Sequence, residues 1–262
     1  MLIDGKDIAA AIESEVAAKT ARGTKVTMTA VTSAPDFATQ KYLAMKQRRA
    51  AAAGVSLNVV ELPADASTED VVACVREVAK SSDGVVVQLP LPQQVDKQVV
   101  LRSVPIDKDP DGFSYGYDKQ SVLPPVVGAI DEISKLHEVE WKNKRVVVLG
   151  QGSLVGKPAA RYARGRGARV RVYEKYNLDL TSLKTADIII SGIGQSHFIT
   201  PEMVQNGVIV FDAGTSEDGG VLVGDFHKDV SEKALLMTPV PGGIGPITIA
   251  YLLKNVVTLA RK

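Results

Sequence analysis

Apolar residues recur every three to four positions over residues 5–21, then give way to an apolar, β-branched run over 26–31. The helical spacing returns over 38–53 and stops at Gly54, a residue favoured just past a helix end. An apolar strand over 57–62, a helix over 68–81 and a buried strand over 84–88 complete a strand–helix alternation. Residues 89–127 break it: proline and glycine are frequent, only 97–103 has helical spacing, and Pro124-Pro125 marks a junction. A second alternation follows, with helices over 126–136 and 157–166 and strands over 145–149, 169–173, 188–191 and 208–212. An apolar-faced helix over 247–261 ends the chain after a proline-glycine loop. Repeated strand–helix units of this kind predict an α/β protein of two domains with mainly parallel sheets.

Composition narrows the partners. Of 262 residues, 45% are hydrophobic and 23% charged, and the formal net charge is +1, so neither a nucleic-acid nor a membrane surface is expected. The start, MLIDGKDIAAAIESEV, carries acids and lacks the apolar core of a signal peptide. No apolar run approaches the ~18 residues of a membrane span. The single cysteine, Cys74, rules out a disulfide framework and reads as a small buried hydrophobe. A cytoplasmic location is expected. His137, His197 and His227 are scattered without ligand spacing, and no metal is expected.

The segment RVVVLGQGSLVGKP puts Gly150, Gly152 and Gly156 between a strand and a helix. Residues without a Cβ let the backbone turn tightly and approach a ligand, and the free N–H groups of the helix start suit a pyrophosphate. The spacing is one residue longer than the common dinucleotide fingerprint. The next strand ends in Glu174, whose carboxylate suits the ribose hydroxyls of an adenosine. The expected dinucleotide-lining residues are Gly150, Gln151, Gly152, Ser153, Val155 and Gly156 in the turn, then Glu174 and Lys175. Gly192, Ile193 and Gly194 follow at the next strand end, and Asp212, Gly214 and Thr215 at the one after. Glu174 is in phase with Val170 and Val172 and Lys175 is out of phase, which favours NAD over NADP.

The first half holds fewer explicit signals. Tyr42 and Lys46 stand four apart on one helix face, where the lysine is either solvated or catalytic. Gln88 ends a strand before Pro90 and Pro92, either bonding the loop backbone or facing a cleft. Asp107, Asp109 and Asp111 cluster before Gly112, without a fourth ligand that would suggest a metal.

With LIDGK near the start, Tyr42-x-x-x-Lys46, VQLPLP at 87–92, KDPDGF at 108–113, GQGSLVGKP at 150–158 and TPVPGGIGPIT at 238–248, the chain resembles the bifunctional methylenetetrahydrofolate dehydrogenase/cyclohydrolase family, the FolD proteins. The resemblance implies oxidation of 5,10-methylenetetrahydrofolate with a nicotinamide cofactor, then hydrolysis of the methenyl product to 10-formyltetrahydrofolate, by a homodimer. It implies catalytic roles for Lys46, Tyr42, Gln88 and Asp111, and folate contacts from Tyr42, Gln88, Leu89, Pro90, Asp111, Pro241, Gly242, Gly243 and Ile244. It also implies a folate-binding α/β domain over 1–123 with the helix 247–262, and a Rossmann-like doubly wound cofactor domain over 124–246. Another two-domain dehydrogenase of shikimate type, or a non-catalytic binding module, is the competing expectation. The chain departs from the family pattern at several places. The loop VTSAPDFATQKY before Tyr42 is longer, and Leu123-Pro124-Pro125-Val126 replaces proline-cysteine-threonine-proline. Gly150-Gln151-Gly152 replaces glycine-arginine-serine, and Glu174-Lys175 replaces histidine-serine.

Overall fold

A computed structural model describes residues 1–23, 25–174 and 176–261. Two compact units emerge: Ala10–Pro125 with Ile249–Lys262, and Met1–Ala9 with Val126–Thr248.

In the first of these lie most of α1 (Gly5–Thr20), then β1 (Val26–Ser33), α2 (Phe37–Ala52), β2 (Val55–Leu62), α3 (Thr68–Ala79), β3 (Gly84–Val87) and α4 (Lys97–Ser103). The three strands form a parallel sheet in the order β2-β1-β3. The connection reverses direction between β1 and β3, so their carboxyl ends open a crevice where ligands of such sheets bind. Local chemistry fixes the helices around it. Asp36 caps α2 by accepting from Thr39 N at 2.8 Å. At the far end Gly54 adopts φ +72°, and a Cβ there would lie 2.5 Å from the Thr20 hydroxyl oxygen. Ser67 and Asp70 form a reciprocal capping box at α3. Val31, Val71, Val75, Val85, Val87 and Val100 pack into the core beneath. Asn255, buried, donates Nδ2 bonds to Pro110 O and Leu123 O, both at 2.8 Å, and so ties down the loop that carries Asp111.

The second unit carries α5 (Pro125–Leu136), β4 (Arg145–Leu149), α6 (Gly156–Gly165), β5 (Arg169–Tyr173), α7 (Leu180–Lys184), β6 (Ile188–Ser191), β7 (Ile209–Asp212), β8 (Ser216–Asp218), β9 (Val221–Val223), β10 (Leu236–Met237) and the start of α8 (Ile244–Leu259). Its five-stranded sheet is parallel throughout, ordered β5-β4-β6-β7-β10. That order is doubly wound, with its switch point between β4 and β6. Trp141 stacks on Phe211 at 5.9 Å and meets Tyr162 edge-on at 5.3 Å in the core. Residues 1–9 join this unit, Ile3 N donating to Met237 O at 3.0 Å.

The α/β class and parallel sheets are those the sequence predicts. Among the elements not expected are the five-residue α7, the two-residue β10 and the hairpin β8–β9. The first two are too short to show a period. The hairpin turns through Gly219 and Gly220, at φ +58° and +81°, the two positive angles a type I′ turn requires. α8 begins at Ile244 and not at 247, because Pro246 falls in its first turn, where no intrahelical N–H is needed. Among the described residues, no helix is long and apolar enough to cross a membrane.

Candidate active site

At the carboxyl end of β3, Gln88 turns its side chain under α2. Lys46 Nζ donates to Gln88 Oε1 at 3.0 Å, and Gln88 Nε2 donates to Leu89 O at 2.9 Å. One end of the amide fixes the loop, as the structural reading of Gln88 expects, and the other holds the lysine. Lys46 is 8% exposed, so its charge is largely stripped of water. Its Nζ lies 4.6 Å from the centre of the Tyr42 ring, one helical turn away. Lys46 is therefore not the solvated lysine of an amphipathic face.

Burial holds the Lys46 ammonium below the usual lysine range, and the Asp111 carboxylate opposes that shift. Burial raises Asp111 to about 6, with Lys46 opposing. Burial and the Asp111 charge both push the Tyr42 phenol up. Lys46 and Asp111 thus sense each other's charge away from bulk water, while Tyr42 beside them keeps about a third of its surface exposed (36%).

The acidic turn divides its labour. Asp109 is 2% exposed and accepts from Gly112 N at 2.9 Å and Phe113 N at 2.7 Å. Burial, and then the Asp111 charge, raises Asp109 to about 7. Asp111 has no hydrogen-bonding donor among the described residues, which leaves its carboxylate available to a ligand. Gly112, at φ +67°, makes the turn; a Cβ there would lie 2.6 Å from Val122 O. Leu89 and Pro90 line a cavity of about 530 Å³ with Leu91, Pro92, Gln93, Val95 and Lys97.

In the other unit the glycine turn sits at the switch point. A Cβ on Gly156 would lie 1.9 Å from Gly150 O, one on Gly150 3.2 Å from Gly192 O, and one on Gly192 2.6 Å from a Val155 methyl. Gly150 N donates to Tyr173 O at 2.8 Å. Gln151 and Gly152 are exposed, Ser153 and Val155 half-buried, and the start of α6 follows. This is a cradle without side chains at a helix start, and it fits a pyrophosphate. Glu174 follows β5, half-buried, its N–H bonded to Asn177 Oδ1 at 2.7 Å. Lys175 lies outside the described residues. Gly194 has φ +66°, and a Cβ on it would meet Thr215 O at 3.5 Å. Two of the expected residues, Ile193 and Asp212, are also bonded within the protein. The Ile193 N–H is bonded to Asp225 at 2.9 Å. Asp212 is 1% exposed and accepts three backbone N–H bonds. Pro241, Gly242, Gly243 and Ile244 also belong to this unit; Gly242 O accepts from Gly5 N at 2.8 Å and Gly243 N donates to Pro239 O at 2.8 Å.

Sequence reasoning missed Asp225 and Ser191, although the pair Gly224-Asp225 mirrors Asp212-x-Gly214 across the sheet end. The histidines are less scattered than expected: the His197 and His227 rings meet at 5.6 Å. Among the described residues no group of three or more His, Cys, Asp or Glu side chains could hold a metal.

Known proteins share this arrangement. The description "Tetrahydrofolate dehydrogenase/cyclohydrolase, catalytic domain" matches residues 3–111, and the NAD(P)-binding domain of the same name matches 124–262. The chain belongs to the tetrahydrofolate dehydrogenase/cyclohydrolase family. A bifunctional protein FolD of Streptococcus gordonii is 38% identical, covering 97% of this chain and 95% of its own length. Among solved structures, the FolD dehydrogenase/cyclohydrolase of Campylobacter jejuni is 32% identical with a TM-score of 0.94, over 100% of this chain and 98% of its own. The Trypanosoma brucei FolD, complexed with NADP cofactor and inhibitor, is 31% identical with a TM-score of 0.91, over 100% and 97%. The second unit of this family member therefore carries an NAD(P)-binding domain.

Stability should report three carboxyls, Asp109 and Asp212 buried and Asp111 half-buried. Asp109, Asp111 and Asp212 have folded values of about 7, 6 and 7, above the ordinary 3.8. Between about pH 4 and 7 the folded state keeps protons that the unfolded chain releases, so their contribution falls as pH rises. The Tm is expected to drop from pH 5 to 8, and Asp111→Asn to flatten the acid part of that slope. An unchanged slope in the variant would show that Asp111 is not buried as a carboxyl.

Proposed function

We propose that the chain oxidises 5,10-methylenetetrahydrofolate to the 5,10-methenyl compound and hydrolyses that to 10-formyltetrahydrofolate, with Lys46 as the general base of the hydrolysis. The observation that carries this reading is the buried Lys46 ammonium, held by Gln88 Oε1 at 3.0 Å beside the Tyr42 ring. Family membership supports both reactions. It weighs against the shikimate-type dehydrogenase, which would not need the segment TPVPGGIGPIT, and against the non-catalytic module.

The unit 10–125 with the C-terminal helix is read as the folate domain, and the glycine turn of the other unit as the dinucleotide site. When bound, the nicotinamide supplies the hydride acceptor for the first reaction. The turn 150–156, Gly192, Gly194, Gly214 and Thr215 would hold it. The rest of the chemistry belongs to side chains of this chain.

Hydrolysis adds water to the methenyl carbon, takes both protons off the added oxygen, and breaks the bond from that carbon to N5, leaving the formyl group on N10, one proton on N5 and the other released to solvent. A lysine kept below its usual range by burial can accept the first proton and deliver it to the leaving nitrogen. Gln88, which is neutral, aims Lys46 without fixing its charge. Asp111 accepts N–H bonds from the pterin edge, a charge-assisted pairing. Tyr42 packs on the substrate ring and limits the lysine's rotamers. Leu89 and Pro90 supply further folate contacts. A homodimer, in a reducing cytoplasm, is the assembly we infer from the family; sedimentation velocity should give about twice the monomer mass.

Lys46→Met should cut hydrolysis of methenyltetrahydrofolate by about 10²–10⁴-fold while dehydrogenase turnover persists. Hydrolysis within twofold of the unaltered enzyme would remove Lys46 from this role.

NAD is the preferred cofactor in this reading. Glu174, half-buried after β5 and in phase with Val170 and Val172, suits ribose hydroxyls, and Gln151 brings no positive charge to a 2′-phosphate. A unit-charge repulsion at ~5 Å, screened by solvent and salt, corresponds to about a tenfold to hundredfold preference. Comparing kcat/KM for NAD and NADP checks this, with Glu174→Ser narrowing the gap. An NADP preference in the unaltered enzyme would reject it.

A further inference from the structure

Two aspartates behind the glycine loops of the second unit hold each other's chain in place. Asp225, fully buried, accepts from Ser191 Oγ at 2.6 Å and Ile193 N at 2.9 Å through one oxygen, and from Gln195 N at 2.7 Å through the other. Asp212 accepts from Gly214 N at 2.9 Å, Asp225 N at 3.2 Å and Phe226 N at 3.1 Å. The contact is reciprocal. A Cβ on Gly214, two residues after Asp212, would lie 2.1 Å from the Asp225 carboxylate. A Cβ on Gly224, just before Asp225, would lie 2.1 Å from Asp212 Oδ2. Each carboxylate therefore occupies the space that a side chain would need at the glycine beside the other. His197 N to Gly224 O at 3.0 Å and Ile199 N to Asp225 O at 2.9 Å clamp the segment from outside.

Six donors converge on two carboxylates that water does not reach, and four of the six come from segments at the ends of β6 and β7. Burying an anionic group is unfavourable unless such bonds compensate it, so the arrangement is held only if all the loops adopt one shape. Ordinary loop connections need no buried pair of like charges. The carboxyl end of β6 flanks the switch-point crevice, where a dinucleotide would lie, and that of β7 stands next to it in the sheet.

We propose that Asp225, locked against Asp212, is a positioning residue for the dinucleotide. It sets the main chain of 192–195 and 213–215 in the shape that the nicotinamide half requires, without touching the cofactor. The inference rests on the reading that these loops hold the dinucleotide. Hydrolysis of methenyltetrahydrofolate needs no dinucleotide, so the two reactions report separately.

The test uses Asp225→Asn and the milder Ser191→Ala, which removes one donor and leaves every backbone bond in place. Calorimetric Kd for NAD and NADP, KM for the dinucleotide, and the rate of methenyltetrahydrofolate hydrolysis are measured on each. Asp225→Asn should raise Kd and KM at least tenfold, and Ser191→Ala about threefold or more, with hydrolysis kept within twofold. Should Asp225→Asn not fold, the Ser191→Ala shift in Kd decides. An unchanged Kd in Ser191→Ala and in a folded Asp225→Asn overturns the proposal. So does a parallel loss of both activities with Tm, which marks a general scaffold role. If the unaltered enzyme turns over methylenetetrahydrofolate with dinucleotide but Gly192→Val does not impair dinucleotide binding, the loop assignment fails, whatever Asp225 does.

Discussion

A lysine out of water must have its charge compensated, and that requirement organises the substrate end of this chain. Full solvation by protein groups would fix Lys46 as an ammonium; no solvation would expel its proton altogether. The structure provides an intermediate environment. Gln88 offers a neutral acceptor at 3.0 Å, the Tyr42 ring offers a weakly attractive face, and Asp111 lends an opposite charge without a direct ion pair. Burial and the carboxylate shift Lys46 in opposite directions, and the same two influences oppose each other at Asp111. A proton on this pair is held by a balance, which a bound cation such as the methenyl group would tip towards neutral lysine.

Keeping that balance requires rigid seats, and the fold supplies them through carboxylates that do no chemistry. Asp109 fastens the turn before Gly112 and Phe113, so that Asp111 two residues on remains uncommitted. Asn255 fastens the same stretch through Pro110 O and Leu123 O. The second unit repeats the device with Asp212 and Asp225. In both places a buried aspartate collects backbone N–H groups and thereby decides where a neighbouring segment points. The cost appears as raised carboxyl values at Asp109 and Asp212, each about 7.

How much of this was legible in the sequence depended on the range of the interaction. The helices and parallel strands were legible because burial imposes a period that repeats over several residues. Glycines 150 and 156 were legible because a strand–turn–helix register surrounds them. Lys46 and Gln88 were not separable from ordinary residues by spacing alone: they stand 42 positions apart, and only the sheet order β2-β1-β3 brings them to one crevice. The family motifs supplied what periodicity could not. Asp225 stayed hidden because its partners at Ser191, Ile193 and Gln195 are more than 29 residues away, and a buried aspartate looks like a surface one in a loop. The hairpin β8–β9 was within reach, since Asp218-Gly219-Gly220 is a turn signal, but its strands are only three residues each.

The positions where this chain departs from its family follow from the same steric argument. Gly150, Gly156 and Gly192 each have backbone or a packed valine within 3.2 Å of where a Cβ would stand, so the turn cannot accept other residues there. At Gly152 a Cβ would meet nothing within 4 Å. That is the position where the family commonly has serine, and the open space explains why the exchange leaves the turn intact. Gln151 is exposed, and its side chain is likewise free of packing demands. Glu174 follows the last paired residue of β5, beyond the ladder that ends at Tyr173. Substitutions at 151, 152 and 174 therefore leave the fold undisturbed, and the tightly packed glycines and the carboxylates of Asp212 and Asp225 stay fixed whatever stands there.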